Sequence, residues 1–253
     1  AFFGNPSTGQ PGATINNSAF IPQAQLYDQS INLFKIALAN TATAAETRIV
    51  NSMLAKVYLA KKDYVNVFTY ASAGMSSGDA QFLSLNSLVS SAWYWGFAGV
   101  GRVQIIVNNR FNDYITQDPQ EAGRIKLLSL TGRSGTRYYY QGMYTLRESP
   151  FVMMTWQENN LMLAEAILRG GGAGDALQLV NDVRASHTFN GLPISPLATI
   201  DLDALYIERD KELFVRGSRM LDQHRFDKWT HLAPERAKFL PLPLREVNGN
   251  PNY

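Results

Sequence analysis

The sequence predicts an all-α, mostly helical fold in which tetratricopeptide-like helix hairpins are joined by irregular, loop-rich segments. Apolar residues recur at the spacing of one helix face in two regions of the chain, residues 25–78 and 151–216. The stretch between these regions shows no such period. In both regions two compact side chains stand twelve residues apart, a spacing that lets two antiparallel helices pack closely. The pairs are Ala55 with Val67, and Ala164 with Ala176.

The first 78 residues divide into an arm and a set of helices. Residues 1–24 contain three Pro and three Gly among Ser, Thr, Asn and Gln, which predicts an extended arm. Three apolar stripes follow from Gln25 onwards, separated by a small polar turn at 39–45 and by Lys62-Asp63. We therefore interpret residues 25–78 as tetratricopeptide-like helices.

Residues 79–150 are predicted to form an irregular, aromatic-rich segment that crosses between the helical layers. Residues 103–107 form a candidate short strand. Asp118-Pro119 is typical of a helix start, because Asp caps the first turn and Pro suits its first position. Residues 131–136 have the composition of a turn-rich loop and precede three consecutive tyrosines.

The C-terminal region, residues 151–253, predicts further helices. A helix over about 157–169 should pack antiparallel against one over about 174–186, with the Gly-rich stretch 170–174 as their connection. A third long helix is predicted over 202–216, ended by Gly217.

Composition excludes several classes of protein. The chain has 253 residues, 45% of them apolar, which is ample for a core, and its net charge of +2 without a basic run gives no reason to expect nucleic acid. No apolar stretch is long enough for a membrane span, and no signal-peptide pattern is present. There is no Cys, which excludes disulfides, thiolate metal sites, a Cys nucleophile and a lipid-bearing N-terminal Cys within these residues.

Neither a metal or cofactor site nor a catalytic pair is predicted. The three histidines, His187, His224 and His231, lack the i, i+4 pairing of a helical zinc site, and there is no P-loop or nucleophile elbow. A glycosidase needs two carboxylates facing one sugar. Glu158 and Glu165 would lie about 10.5 Å apart along a helix. Glu208 and Glu212 stand beside arginines, so charge pairs on a helix are the favoured interpretation.

The densest charged segment runs from Ile207 to Trp229, where acidic and basic residues alternate among apolar ones. Such networks usually specify packing. Glu212 and Arg216, spaced i, i+4, are predicted to be at least partly buried and held by charge-assisted hydrogen bonds. The predicted structural charge network comprises Glu208, Glu212, Arg216, Arg219, Asp222 and Arg225.

The same segment resembles the C-terminal signature of the SusD/RagB-like family, a run of the type E-R-x-x-E-L-x-x-x-G-x-R-x-x-D-x-x-R-W. The positions that match are Glu208, Arg209, Glu212, Leu213, Gly217, Arg219, Asp222 and Arg225, while Phe226 stands at the usual Trp. An upstream helix and an N-x-V-R helix also match, through Glu158, Leu161, Ala164, Glu165, Ala166, Asn181, Val183 and Arg184. The closing L-P-I-P-like motif matches at Leu240, Pro241, Pro243, Glu246, Asn250 and Pro251.

The resemblance implies a non-catalytic nutrient-binding protein without cofactor or metal. It implies a lipid-anchored location on the extracellular face of the outer membrane. There the protein would capture a glycan or other oligomer and deliver it to a SusC-like TonB-dependent transporter. The anchor is not in this chain, and the N-terminal part of the family pattern is expected to be absent. The alternative is a tetratricopeptide-like scaffold that binds only protein partners.

Ligand-binding residues are expected in the aromatic-rich segment rather than in the signature. Trp93 and Trp95 alternate, so in a strand both indoles would point to one side, and Tyr138 and Tyr140 alternate likewise. Flat aromatic faces suit the C–H face of a sugar ring. Packing of the same rings onto the helices is the alternative interpretation.

Overall fold

Helices make up most of the structure, a computed structural model that describes residues 21–87, 106–132, 134–146 and 148–228. The α-helices of this part are α1 (Gln23–Ala39), α2 (Ala44–Ala60), α3 (Tyr64–Ser72), α4 (Arg110–Gln117), α5 (Trp156–Leu168), α6 (Ala176–Ala185), α7 (Leu202–Glu212) and α8 (Arg219–Phe226). A 3₁₀ helix covers Pro119–Gly123. The strands are β1 (Phe82–Ser84), β2 (Leu127–Thr131), β3 (Arg137–Gln141), β4 (Phe151–Met154), β5 (Thr188–Phe189) and β6 (Leu192–Pro193). The predicted all-α class is confirmed.

The strands form three small two-stranded antiparallel sheets. β1 pairs with β4, β5 pairs with β6, and β2 pairs with β3 as a hairpin around the predicted loop at 131–136, of which Thr131 belongs to β2 and Arg133 lies outside the described residues. In this hairpin Leu128 lies opposite Tyr140, and Leu130 lies opposite Tyr138. The 3₁₀ helix directly precedes this hairpin in the chain.

Short polar side chains determine where most of the helices begin. Thr43 caps α2 and forms a capping box with Glu46: each side chain bonds the backbone N–H at the other position. The remaining caps are acceptors for the N–H three residues further on, which satisfies a donor that the first helical turn leaves free. They are Asp63 for α3, Thr155 for α5, Asp175 for α6 and Asp201 for α7.

The main core lies between α2, α3, α5 and α6. Ala55 and Ala164 have no exposed surface, and Val67 and Ala176 are buried as well, so the small-residue spacing marks true helix contacts. Tyr58 stacks on Tyr70 with ring centres 5.3 Å apart. The predicted helix pair at 157–169 and 174–186 is confirmed as α5 and α6, which pack against each other.

The Gly-rich connection between α5 and α6 is packed against α3. A Cβ on Gly171 would lie 2.3 Å from the carbonyl oxygen of Tyr64, and one on Gly172 would overlap the ring of Phe68. Gly170 has φ +77°, a left-handed conformation that ends α5. The glycines therefore serve close approach of the two hairpins as well as chain reversal.

Replacing Gly171 by Ala should destabilise the protein, because a backbone oxygen has little freedom to move away from the new methyl group. We expect a loss of about 1–3 kcal/mol in the free energy of unfolding, measured by denaturant titration. Gly174→Ala is the matched control. Its Cβ would meet only the flexible end of Ile167, so it should cost less than about 1 kcal/mol. Equal losses in the two variants would contradict the proposed close packing.

The end of the third predicted helix is corrected by the structure. α7 ends at Glu212 instead of Arg216, and Val215 and Gly217 adopt left-handed conformations with φ +54° and +74°. Leu213 and Phe214 then turn into the interior, where both are buried. Burial of two large apolar side chains on a turn outweighs the continued helical pattern, because helix propensity is weak beside tertiary packing.

Two other predicted elements have different outcomes. The 3₁₀ helix after Asp118 confirms the predicted start, with the Asp118 side chain accepting from the N–H of Gln120. Residues 103–105 of the candidate strand lie outside the described residues. Ile106 and Val107 are not part of a strand, although the Val107 N–H donates to the Tyr139 carbonyl at 2.9 Å. Among the described helices none is both long and apolar enough to cross a membrane.

A buried group of charges, here called the Arg124 cluster, connects the 3₁₀ helix to α6 and α7. Arg124 donates to Glu121 at 2.7 Å and to Glu208 at 2.6 Å. Arg184 donates to the same two carboxylates at 3.1 and 2.9 Å, and Lys211 donates to Glu121 at 2.8 Å. These contacts hold the segment leading into β2 against the helical body.

A second buried group, the Arg225 cluster, joins α5, α7 and α8. Arg225 donates to Glu165 at 2.6 Å and to Asp222 at 2.6 Å, and Asp222 also accepts from Arg209 at 2.9 Å. Burial opposes ionisation of Asp222, but Arg209 and Arg225 more than compensate and lower its pKa.

The predicted pairing of Glu212 with Arg216 is not found, because α7 ends between them. Both side chains are largely buried, yet Glu212 contacts His187 at 2.8 Å, and Arg216 lies 3.9 Å from Glu158. Arg219 lies 3.3 Å from Asp210. The six network residues thus take part in ion pairs, but mostly with residues far away in the sequence.

Candidate functional site

A groove of about 460 Å³ runs between the β2–β3 hairpin and the segment that contains α4 and the 3₁₀ helix. Its volume falls within the range of small-ligand sites, which are mostly concave and apolar with a few polar groups. We call it the hairpin groove. The residues that line it are Asn112, Ile115, Ala122, Ile125, Lys126, Leu127, Leu128, Ser129, Arg137, Tyr139 and Gly142.

The helical wall of the groove is held by contacts with α7 and the chain just after it. Phe111 of α4 packs edge-on against Phe214, with ring centres 4.7 Å apart. Tyr114 donates to Asp210 at 3.1 Å, and Arg110 donates to the same carboxylate at 2.7 Å. Burial, followed by the negative charge of Asp210, raises the pKa of Tyr114, so this hydroxyl remains a donor.

The strand wall is held at the end of β3 by one buried amide. The Gln141 side chain accepts from the N–H groups of Met143 and Tyr144 at 2.8 Å and donates to the Tyr144 carbonyl at 2.9 Å. Gln141 is almost fully buried. Three hydrogen bonds from one buried side chain leave the strand little freedom to shift.

The most distinctive feature of the groove is a line of polar and aromatic side chains on one face of the hairpin. Arg137 and Tyr139 are two residues apart on β3, and the guanidinium carbon lies 5.6 Å from the centre of the Tyr139 ring. Arg137 also donates to the Ser129 hydroxyl at 2.9 Å. A half-buried ring beside a guanidinium and a hydroxyl offers both a stacking surface and hydrogen-bond partners.

The structure describes two of the four aromatic residues that the sequence suggests as ligand contacts. Tyr138 and Tyr140 share one face of β3, as their alternation predicted, and both are half-buried. They lie on the face opposite Tyr139 and do not line the hairpin groove. Trp93 and Trp95 lie outside the described residues.

Sequence reasoning missed Tyr139, although the signal was present. In a strand, the middle residue of three consecutive tyrosines faces away from its neighbours and shares its face with Arg137. A pattern of alternating aromatic pairs indicates only the outer two tyrosines. An aromatic alternating with an arginine is an equally good pattern for a polar ligand.

The carboxylates considered for glycosidase chemistry are engaged inside the protein. Glu158 lies 2.8 Å from Lys56, and Glu165 accepts from Arg225. Glu208 accepts from Arg124 and Arg184, and Glu212 contacts His187. All four side chains are buried and none lines the hairpin groove. Their ion pairs and hydrogen bonds join elements inside the protein.

A second cavity of about 580 Å³ lies between α1, the end of α2 and α8. Tyr27 is an aromatic side chain in its lining and offers a reference for experiments on the groove. The complete lining is Gln23, Tyr27, Ala60, Lys62, Gly217, Met220, Leu221, His224 and Arg225.

Neither a protein-family model nor a curated protein matches this chain. Several solved structures are similar to it in fold. A SusD superfamily protein from Bacteroides thetaiotaomicron is similar over 96% of this chain and 68% of its own, with a TM-score of 0.70 and 18% identity. One from Bacteroides vulgatus is similar over 83% of this chain, with a TM-score of 0.63 and 20% identity; the chain spans only 56% of that protein. A laminarin-binding SusD-like protein is similar over 92% of this chain and 70% of its own, with a TM-score of 0.64 and 18% identity.

Proposed function

We propose that this chain, which has the SusD-like fold of these structures, is a non-catalytic glycan-binding protein of the cell surface. The observation that carries the proposal is the hairpin groove, where the Tyr139 ring is accompanied by the Arg137 guanidinium and the Ser129 hydroxyl. We place the principal ligand contacts on these three side chains.

The chemistry of the groove suits a sugar better than a purely apolar ligand. A pyranose has one face of C–H groups, which packs on an aromatic ring, and a rim of hydroxyls, which need hydrogen-bond partners. Tyr139 supplies the ring. Asn112, Ser129 and Arg137 supply donors and acceptors around it.

The structural relatives support the same class of ligand. One of them is a laminarin-binding SusD-like protein, and its fold is shared by 92% of this chain. We extend glycan binding to this chain as part of the proposal. We also propose the finer role that the family resemblance implies: a lipid-anchored outer-membrane location and delivery of the glycan to a SusC-like transporter. Co-purification with such a transporter from the native membrane tests that role.

Replacing Tyr139 by Ala should weaken glycan binding strongly, because it removes the stacking surface. We expect a loss of about 2 kcal/mol, roughly thirtyfold in Kd, for the glycan that the wild type binds best. Isothermal titration calorimetry against laminarin, chitin, xylan and uronate oligosaccharides measures it. Tyr139→Phe should retain most of the affinity, because it keeps the ring.

Tyr27→Ala is the matched control, since it removes an aromatic ring from the other cavity and should leave Kd unchanged. The same titration is applied to alanine variants of the four aromatic residues suggested by the sequence. These variants are Tyr138→Ala, Tyr140→Ala, Trp93→Ala and Trp95→Ala. If one of these variants abolishes binding while Tyr139→Ala does not, the hairpin groove is not the site. If the wild type binds no glycan, the proposed function fails.

A protein-binding scaffold is the second candidate function, and one observation favours it. Helix α1 exposes Leu26, Leu33 and Ile36 to solvent, with exposed fractions of 47%, 67% and 62%. Exposed apolar side chains on one helix are typical of protein contact surfaces. Capture of a protein partner by the wild type that is lost with Leu33→Asp, together with no glycan binding, would favour this function.

A further inference from the structure

Arg137 differs from the other described arginines in having no acidic partner among the residues that the structure describes. Its side chain bonds the Ser129 hydroxyl and lies over the Tyr139 ring. The nine other arginines within the described ranges each lie within ion-pair distance of an Asp or Glu side chain. They are Arg48, Arg110, Arg124, Arg169, Arg184, Arg209, Arg216, Arg219 and Arg225.

The positive charge of Arg137 is not compensated by the side chains that line the hairpin groove. The residues that line the hairpin groove include a second cation, Lys126, and no Asp or Glu. Lys126 donates to the carbonyls of Ala122 and Gly123 at 3.1 and 2.8 Å, which holds its ammonium at the wall of the groove. The hairpin groove therefore carries two positive charges that no lining carboxylate compensates.

An arginine in this position is suited to an anionic group. Its planar guanidinium presents several N–H donors in a fork that matches the two oxygens of a carboxylate, and charge-assisted hydrogen bonds of this type are about twice as strong as neutral ones. The bond to Ser129 uses one amino group of the guanidinium. The Tyr139 ring lies beside the guanidinium, and Arg137 is exposed, so its remaining donors are open to a ligand.

We propose that the hairpin groove selects acidic glycans: a carboxylate or sulfate of the sugar chain meets Arg137 while a neighbouring sugar ring stacks on Tyr139. The inference rests on the proposed glycan binding and adds the ligand class. The shared chemistry is an anionic oxygen group, and uronic acids and sulfate esters are its two sources.

The test compares acidic glycans with neutral forms of the same chains. The wild-type protein is titrated with oligogalacturonate, alginate oligomers, chondroitin and chondroitin sulfate, beside neutral laminarin, xylan and chitin oligosaccharides. The best acidic ligand is then tested after carboxyl reduction or desulfation, which separates the two sources. We expect the neutralised form to bind at least about tenfold more weakly. Affinity for the acidic form should fall as salt is raised.

Arg137→Gln should remove the preference for the acidic form while retaining residual binding through Tyr139. Arg137→Lys should keep part of the preference, because it retains charge but loses the fork. Lys35→Gln removes one positive charge from an exposed position on α1 and is the control for general electrostatics. Unchanged melting temperatures of the variants exclude unfolding as the cause.

The outcomes separate this inference from the proposed function. Tight binding of neutral glycans with no gain from acidic groups would overturn the inference and leave the proposed function standing. So would a preference for acidic glycans that Arg137→Gln does not change. Binding of no glycan at all would overturn both.

Discussion

Arg124→Ala should cost about 3–5 kcal/mol of unfolding free energy, the largest loss that we expect from a single substitution in this chain. Arg124 is almost fully buried and bonds Glu121 and Glu208 directly. Its removal leaves two carboxylates in the interior with only Arg184 and Lys211 to neutralise them. Each carboxylate keeps its desolvation cost but loses the attraction of one cation, and the cavity left by the Arg124 side chain adds a further loss.

Denaturant unfolding measures this loss, and Arg48→Ala is the matched control. Arg48 also bonds a carboxylate, that of Asp79, but its side chain is 35% exposed and screened by solvent, so its loss should cost far less stability than the loss of Arg124. Arg124→Lys should fall between the two, because it keeps the charge and loses the planar fork. Similar losses for Arg124→Ala and Arg48→Ala would show that burial does not govern the strength of these pairs.

Acid should unfold the protein through the same cluster. Burial alone would raise the pKa of Glu121, but hydrogen bonds and positive charge from Arg124 and Lys211 lower it to about 2. The pKa of Glu208 is lowered too: burial opposes ionisation, and Arg124, Lys211 and Arg184 outweigh it. A carboxyl whose pKa is lower in the folded state stabilises that state above the unfolded pKa of about 4.3. This stabilisation is lost as the pH falls towards the folded value.

We therefore expect the free energy of unfolding to fall steadily from about pH 4.5 towards pH 2, measured by denaturant titration at each pH. Glu121→Gln should be less stable at neutral pH and should show a shallower fall in this range. Asp113→Asn changes an exposed carboxylate on α4 and should follow the wild-type slope. A Glu121→Gln profile parallel to that of the wild type would contradict the assignment.

Glu208 and Arg225, near the two ends of the charged signature, show what the spacing of charges in the sequence predicts and what it leaves open. Glu208 and Arg225 were expected in a buried network, and both are buried in ion pairs. The expected partners were neighbours on one helix. The observed partners include Arg124, Arg184 and Glu165 from other elements, beside Lys211 and Asp222 on the same helices. Alternating charges among apolar residues predict burial, but they carry no information about which distant segment supplies the opposite charge.

The aromatic candidates show the same limit. Alternation correctly placed Tyr138 and Tyr140 on one face of a strand. It could not tell which face borders a groove, because that depends on where α4 and the 3₁₀ helix pack. The structure places Tyr139 and Arg137 at the hairpin groove, and the reason is the position of those helices, which the Arg124 cluster and Asp210 hold in place.

The sequence by itself determined the helical class, the positions of most helix starts and the packing of α5 on α6. These features depend on local physics: apolar periodicity, capping side chains, and small residues where helices touch. Only the tertiary structure decided where α7 ends, which charges pair and which face of the hairpin lines a groove. Those outcomes depend on contacts between segments far apart in the sequence, such as Arg110 with Asp210, which are 100 residues apart. Burial makes such contacts strong enough to override local preference.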